Sequence, residues 1–180
     1  MITAASNSRI KRLVQLNQKS KLRRTEDVFL AEGVKMFLEA PREQLQEVYG
    51  SESFLEKCSC REHLEEVGYE VVSDSVFSKI SDTCTPQGVL CVLKQFHYNI
   101  EEMLRDKAPL FLLLENIQDP GNLGTMLRSG EGAGVSGIIM SRDTVDLYNP
   151  KVIRSTMGSI YRVPFYYADD FAAAVCHLFR

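Results

Sequence analysis

Residues 110–134, LFLLLENIQDPGNLGTMLRSGEGAG, constrain the fold more than any other stretch of the chain. They open on an unbroken apolar run, Leu110 to Leu114, of the length expected for a strand buried on both faces. The chain then turns polar at Glu115, Asn116, Gln118 and Asp119. Asp119-Pro120-Gly121 reads as a turn, because proline fixes φ and glycine takes backbone angles that other residues avoid. From Asn122 a helical period takes over, with Leu123, Leu127 and Gly130 on one face. Gly121, Gly124 and Arg128 share another face, so one guanidinium stands on a surface cleared for close approach of a ligand or of another backbone. Strand, loop and helix in this order form the repeating unit of an α/β protein, and many such loops do no more than turn the chain. Neither of the familiar phosphate cradles is present: there is no G-x-x-x-x-G-K-[ST], and no G-x-G-x-x-G follows the strand.

The length, 180 residues, gives room for one medium domain or two small ones. No apolar run approaches ~20 residues, so no membrane span is expected. The N-terminus is polar and basic where a secretory leader needs an apolar core, so export is not expected either. Five cysteines without regular spacing fit free thiols in a reducing cytoplasm. Cys58-Ser59-Cys60 with His63 nearby lacks the spacing of a zinc site, and no second pair follows, so no metal is expected.

The net charge of -3 alone argues against nucleic acid, but its distribution does not. Residues 1–25 carry Arg9, Lys11, Arg12, Lys19, Lys21, Arg23 and Arg24 and no acid, leaving 14 of the 21 basic and all 24 acidic side chains to the rest. Such a split suits a nucleic-acid-facing arm on an acidic protein, or else a solvated basic helix face.

Along the chain, Ser6 or Ser8 is placed to cap a first helix with Ile10, Leu13 and Val14 as its apolar stripe. Residues 19–24 read as an exposed basic segment. Val28–Ala31 reads as a strand, and Val34, Phe37 and Leu38 lie on a helix that Pro41 stops. A short strand at Val48-Tyr49, a capping box at Ser53-x-x-Glu56, a strand at 70–72, a helix over 73–81 and a strand at 89–93 follow. The alternation over residues 26–94 predicts a small α/β domain. Residues 95–108 read as a charged linker and 109–180 as a second domain. There, a strand at 135–140 is followed by a helix from Asn149-Pro150 through Thr156 presenting Lys151, Arg154 and Ser155. A short strand after Val163-Pro164 leads to a helix capped by Asp169 or Asp170, whose residues Phe171 to Phe179 are apolar enough to bury.

The run from Asn116 to Arg128, NIQDPGNLGTMLR, resembles the first signature motif of the SpoU (TrmH-like) RNA ribose 2′-O-methyltransferases, within the SPOUT superfamily. The F-L-x-E-G run at Phe29–Gly33, the T-P-Q-G loop at Thr85–Gly88 and the N-P-K-x-x-R-S-x-x-G-S run at Asn149–Ser159 are also similar to the family. The resemblance implies a small N-terminal α/β substrate-binding domain followed by a SPOUT-type parallel-sheet domain. It implies S-adenosylmethionine as cofactor, RNA (ribosomal RNA above all) as partner, and a homodimer with no membrane association. Arg128 and Asn122 match the family's catalytic arginine and its neighbouring asparagine. Arg9, Lys11, Arg12, Lys21, Arg23, Arg24, Lys151 and Arg154 are the candidate RNA contacts.

The family's G-N-E-x-x-G loop and its Ser/Asn-rich knot segment, which hold most of the cofactor pocket and much of the dimer interface, do not occur in these residues. The expectation is therefore a partial SPOUT domain without its C-terminal trefoil knot, with no cofactor-binding residue assigned and no activity as the chain stands. A guanidinium stays protonated and makes a poor general base, so Arg128 is expected to hold an RNA phosphate and polarise the 2′-hydroxyl. The alternative reading is a non-catalytic RNA-binding module. For Arg128 itself, the alternative is a surface ion pair with Glu131 one turn on.

Overall fold

The computed structural model describes residues 1–105 and 107–178. The chain divides into two units, Met1–Gln95 with Tyr148–Pro150, and Phe96–Leu147 with Lys151–Arg180.

The first unit begins with α1 (Ser8–Gln18), where Asn7 rather than Ser6 or Ser8 accepts the Arg9 amide at 2.9 Å. Its inward stripe is Ile10, Leu13 and Leu16, with Val14 only partly covered. The basic segment that follows is not an open strand of chain: it is helix α2 (Ser20–Glu26), with Arg23 inside. Then come β1 (Val28–Glu32), α3 (Val34–Leu38), β2 (Leu45–Ser51), α4 (Glu52–Lys57), α5 (Arg61–Val67), β3 (Glu70–Val72), α6 (Asp74–Ile80) and β4 (Val89–Lys94). The sheet order is β1-β4-β2-β3, with β4 antiparallel to both neighbours and β2 parallel to β3. Alternation along the strands splits the core in two. Val28, Leu30, Tyr49, Leu90 and Val92 turn to α1 and α6, meeting Ile10, Leu13, Leu16, Val76, Phe77 and Ile80. Phe29, Ala31, Cys91 and Leu93 are buried on the other side.

The capping box expected at Ser53 and Glu56 does not form. Ser51 caps α4 by accepting the Phe54 amide at 3.3 Å, and Ser53 instead donates to Asp74 across the loop.

The second unit contains α7 (Ile100–Met103), β5 (Phe111–Leu114), α8 (Pro120–Ala133), β6 (Gly137–Ser141), α9 (Pro150–Thr156), a 3-10 turn at Ser159–Tyr161, β7 (Phe165–Ala168) and α10 (Phe171–Leu178). Its three strands run parallel in the order β5-β6-β7. β6, in the middle, is buried along its whole length, as its apolar run requires. β5 lies at the edge of the described sheet, so only Leu114 of the strand is buried and Leu110 stays half exposed, against the expectation of burial on both faces. Phe96 and Tyr98, read from sequence as linker, pack against Tyr161 and Phe165, and burial raises the Tyr98 phenol above its ordinary value. α10 is apolar, and Asp170 caps it by accepting the Ala173 amide, yet none of its described residues is buried. Phe179, counted with that helix in the sequence reading, lies outside the described residues. No described helix is long and apolar enough to cross a membrane.

Candidate functional site

The strand-to-helix unit at β5 and α8 carries the candidate site. Asp119 caps α8 by accepting the Asn122 amide at 2.7 Å, and Pro120 occupies the first turn, where its missing N–H costs nothing. The helix therefore starts two residues before Asn122. Leu123, Leu127 and Gly130 are its buried face, as their spacing requires.

The loop before α8 is held by the end of β6. Ser141 Oγ accepts the Asn116 amide at 2.8 Å, and Thr144 Oγ1 accepts the Ile117 amide at 3.3 Å. The Val145 amide in turn donates to the Ile117 carbonyl at 2.8 Å. Gln118 Nε2 donates to Asn116 Oδ1 and to the Asp143 carbonyl, at 2.7 and 2.6 Å. These bonds hold Asn116 in a left-handed conformation with φ 53°. Tyr167 extends the support: its hydroxyl donates to the Val145 carbonyl at 2.7 Å and accepts the Leu147 amide at 2.9 Å. Burial raises that phenol well above its ordinary value. Ser141 ends β6 and Thr144 lies three residues on, and the sequence reading assigns a role to neither. The signal that marks Ser141 is a hydroxyl placed directly after the apolar run Gly137–Met140, where buried backbone needs a partner.

Gly124 does not open a ligand surface. A methyl group there would stand 2.3 Å from Ser155 Cβ and 2.9 Å from the Val152 carbonyl oxygen, so the glycine admits α9 to the α8 backbone. Ser155 consequently faces α8 and bonds the Lys151 carbonyl, rather than sharing the exposed side of Lys151 and Arg154.

Arg128 and Asn122 are both exposed on α8, and among the described residues neither side chain has a hydrogen-bond or ionic partner. The ion pair of Arg128 with Glu131 does not form. Glu131 accepts from Ser159 Oγ at 2.5 Å and from the Arg162 guanidinium, which fastens the 3-10 turn to the helix.

The basic residues of the first unit divide sharply. Arg23 is 2% exposed, and its Nη1 donates to the Leu16 and Asn17 carbonyls at 2.6 and 3.2 Å. These are among the last carbonyls of α1, which have no partner within the helix, and a buried guanidinium satisfies them. Gln95 Nε2 completes the joint by donating to the Arg23 and Val28 carbonyls. Arg23 therefore presents no guanidinium surface to an RNA, and that expectation gives way to a capping role. Arg9 pairs with Glu70 at 2.7 Å, and Arg12 bridges Glu26 and Glu47 at 2.7 and 2.8 Å. Lys11, Lys21 and Arg24 are exposed and have no partner among the described residues. Lys151 and Arg154 are exposed on α9. Among the described residues no three His, Cys, Asp or Glu side chains gather to hold a metal ion.

With this geometry in place, comparison with known proteins is specific. Residues 109–179 match the family model of the SpoU rRNA Methylase family, and residues 7–91 match that of the MRM3-like substrate binding domain. The chain is thus similar to the SpoU methylases in its second part and to the MRM3-like substrate binding domain in its first. It is 32% identical over 166 residues to the 23S rRNA (guanosine(2553)-2'-O)-methyltransferase of Bacillus subtilis, covering 91% of this chain and 63% of that protein. It is 42% identical over 88 residues to the human mitochondrial rRNA methyltransferase 3, covering 47% of this chain and 21% of that protein. The fold matches that of the AdoMet-bound rRNA methyltransferase from Sinorhizobium meliloti with a TM-score of 0.84 at 24% identity, over 98% of this chain and 68% of that one. The chain thus spans under two thirds of the length of these two curated relatives.

Proposed function

We propose that these residues belong to an RNA ribose 2′-O-methyltransferase acting on ribosomal RNA, with S-adenosylmethionine as methyl donor. The observation that carries the reading is Arg128: an exposed guanidinium, without a protein partner among the described residues, on the helix that follows the family's signature loop. A cation held out from a rigid helix without an acid to neutralise it suits a phosphate or a developing alkoxide.

On this reading Arg128 grips the phosphate beside the target ribose and polarises its 2′-hydroxyl, whose proton passes to that phosphate. Asn122, on the same helix before it, orients the ribose through its amide. When bound, S-adenosylmethionine supplies a methyl group activated by its sulfonium. The loops at the ends of β5 and β6 spend their polar groups on each other, through Asn116, Ile117, Gln118, Ser141, Thr144 and Val145. The reading therefore gives these 180 residues the ribose-facing and RNA-facing roles and no cofactor-holding role, and expects no methyl transfer by them alone. Lys11, Lys21 and Arg24 are the arm residues left to meet RNA phosphates. Five free cysteines support a cytoplasmic setting, and assembly as a homodimer is part of the same proposal.

The test is methyl transfer to ribosomal RNA by a longer chain carrying these residues, using S-adenosylmethionine with a labelled methyl group. Alkali cleaves RNA through a free 2′-hydroxyl, so label in an alkali-resistant dinucleotide supports the reading. Label on a base, or none on RNA, overturns it.

A further inference from the structure

A cleft of about 690 Å³ opens in the first unit between α4, α6 and the Thr85–Gly88 loop, and the chemistry above does not use it. Its apolar wall includes the partly exposed ring of Phe54 and Pro86. Gly88, at φ 83°, brings the loop close: a methyl group there would stand 2.3 Å from Phe54 Cβ. Around that wall stand three polar groups of different kinds. Lys57 is exposed and has no hydrogen-bond or ion-pair partner among the described residues. Asp74 accepts the Ser53 hydroxyl at 2.8 Å and the Ser53 amide at 3.2 Å, bonds that hold its carboxyl below the usual carboxylate range and keep it ionised. Gln87 is fixed at both ends of its reach. Its backbone N–H donates to Glu32 Oε1 at 3.2 Å, and its side-chain oxygen accepts the Val34 amide at 3.3 Å, while its NH₂ has no hydrogen-bond partner among the described residues.

A plain anion would meet Asp74, and an apolar ligand would leave the Lys57 ammonium and the Gln87 NH₂ without partners. A nucleotide offers one group for each: a ring face for Phe54, N–H donors for Asp74, an acceptor for the Gln87 NH₂ and a phosphate for Lys57. A base already paired in a duplex has its edge occupied and its faces stacked. We infer that this cleft holds one unpaired nucleotide of the RNA, flipped or looped out of its helix, with the base on Phe54 and its edge against Asp74 and Gln87. The inference rests on the RNA-binding reading above and adds to it a place where sequence can be read.

The cleft carries its own reporter. Cys58 lines it and is partly exposed, whereas Cys60 beside it is buried and its thiol is pushed up by that burial. Cys176, exposed on α10, serves as reference. The experiment is iodoacetamide labelling of the 180-residue chain, read by mass spectrometry. It is run with a saturating single-stranded RNA decamer of randomised sequence, and with a blunt-ended RNA duplex of equal length. The single strand should slow alkylation of Cys58 several-fold relative to Cys176, and the duplex should not. Lys57→Glu should weaken binding of the single strand several-fold and relieve the protection. RNA that binds while Cys58 reacts at its free rate, or protection by the duplex equal to that by the single strand, overturns the cleft assignment and leaves RNA binding standing. Failure of both RNAs to bind overturns both.

Discussion

The basic arm of α1 and α2 and the lone arginine of α8 teach opposite lessons about charge. By count, the arm is the strongest nucleic-acid signal in the chain, with seven Lys or Arg in its first 25 residues. In the structure much of that charge is spent within the protein. Arg23 caps α1 from inside, Arg9 answers Glu70, and Arg12 answers Glu26 and Glu47. Arg128 is a single cation in a helix with little charge, yet nothing among the described residues neutralises it. Charge available to a ligand is charge that the fold has left unpaired, and a count along the sequence does not measure it.

The largest effect that would break this contrast is on catalysis. In a longer, active chain, Arg128→Ala should lower methyl transfer by more than about a hundredfold, without shifting the melting temperature, because the side chain makes no internal bond. Arg23→Met should do the reverse. Deleting a buried donor from two carbonyls should cost roughly 3 kcal/mol of stability, read from urea unfolding, while the folded fraction keeps its RNA affinity. Gly124→Ala forces a methyl group into Ser155 and should cost roughly 2 kcal/mol; it sharpens the distinction between a glycine that clears a ligand and one that seats a helix.

Reversing Lys11, Lys21 and Arg24 to Glu together should weaken RNA binding several-fold and flatten its dependence on salt. An unchanged slope would leave those residues as a solvated face. The smallest effect concerns Asp74. A carboxyl whose pKa is lowered in the folded state adds stability above the ordinary carboxylate range and loses it as pH falls through the folded value. Ser53→Ala should therefore be slightly less stable than the parent near neutral pH, with the gap closing in acid, as followed by urea midpoints from pH 7 downwards.

What was legible in the sequence follows from what period and capping report. The buried faces of α6 and α8 followed directly from the spacing of Val76, Phe77 and Ile80 and of Leu123, Leu127 and Gly130. The burial of β6 along its whole length is legible in the unbroken apolar run at 137–140. What escaped was decided by tertiary partners. The stretch 19–24 looks like solvated chain because Leu22 is its only apolar residue and its one fully buried side chain is an arginine, whose burial the free end of α1 explains. β2 begins at Leu45, three residues before its apolar part, because Leu45 pairs with Leu93 across a bulge. α5 lacks a side-chain cap bond and carries one buried residue, Leu64, too little pattern to announce a helix. At the site, Arg128 and Asn122 could be named from a motif. The hydroxyls of Ser141 and Thr144 that hold the loop beside them come from a different strand end, and spacing along the chain does not connect the two.

The most direct measurement of the central claim is the affinity of this 180-residue chain for a ribosomal RNA fragment across a series of KCl concentrations, with Arg128→Ala in parallel. If Arg128 faces an RNA phosphate, the variant should bind more weakly. Its slope of log affinity against log salt should be shallower by about 0.7 to 0.9, the value of one phosphate contact, at an unchanged melting temperature. Identical affinity and slope for the two proteins would contradict the account, since the one unpaired guanidinium of the signature helix would then not touch the RNA.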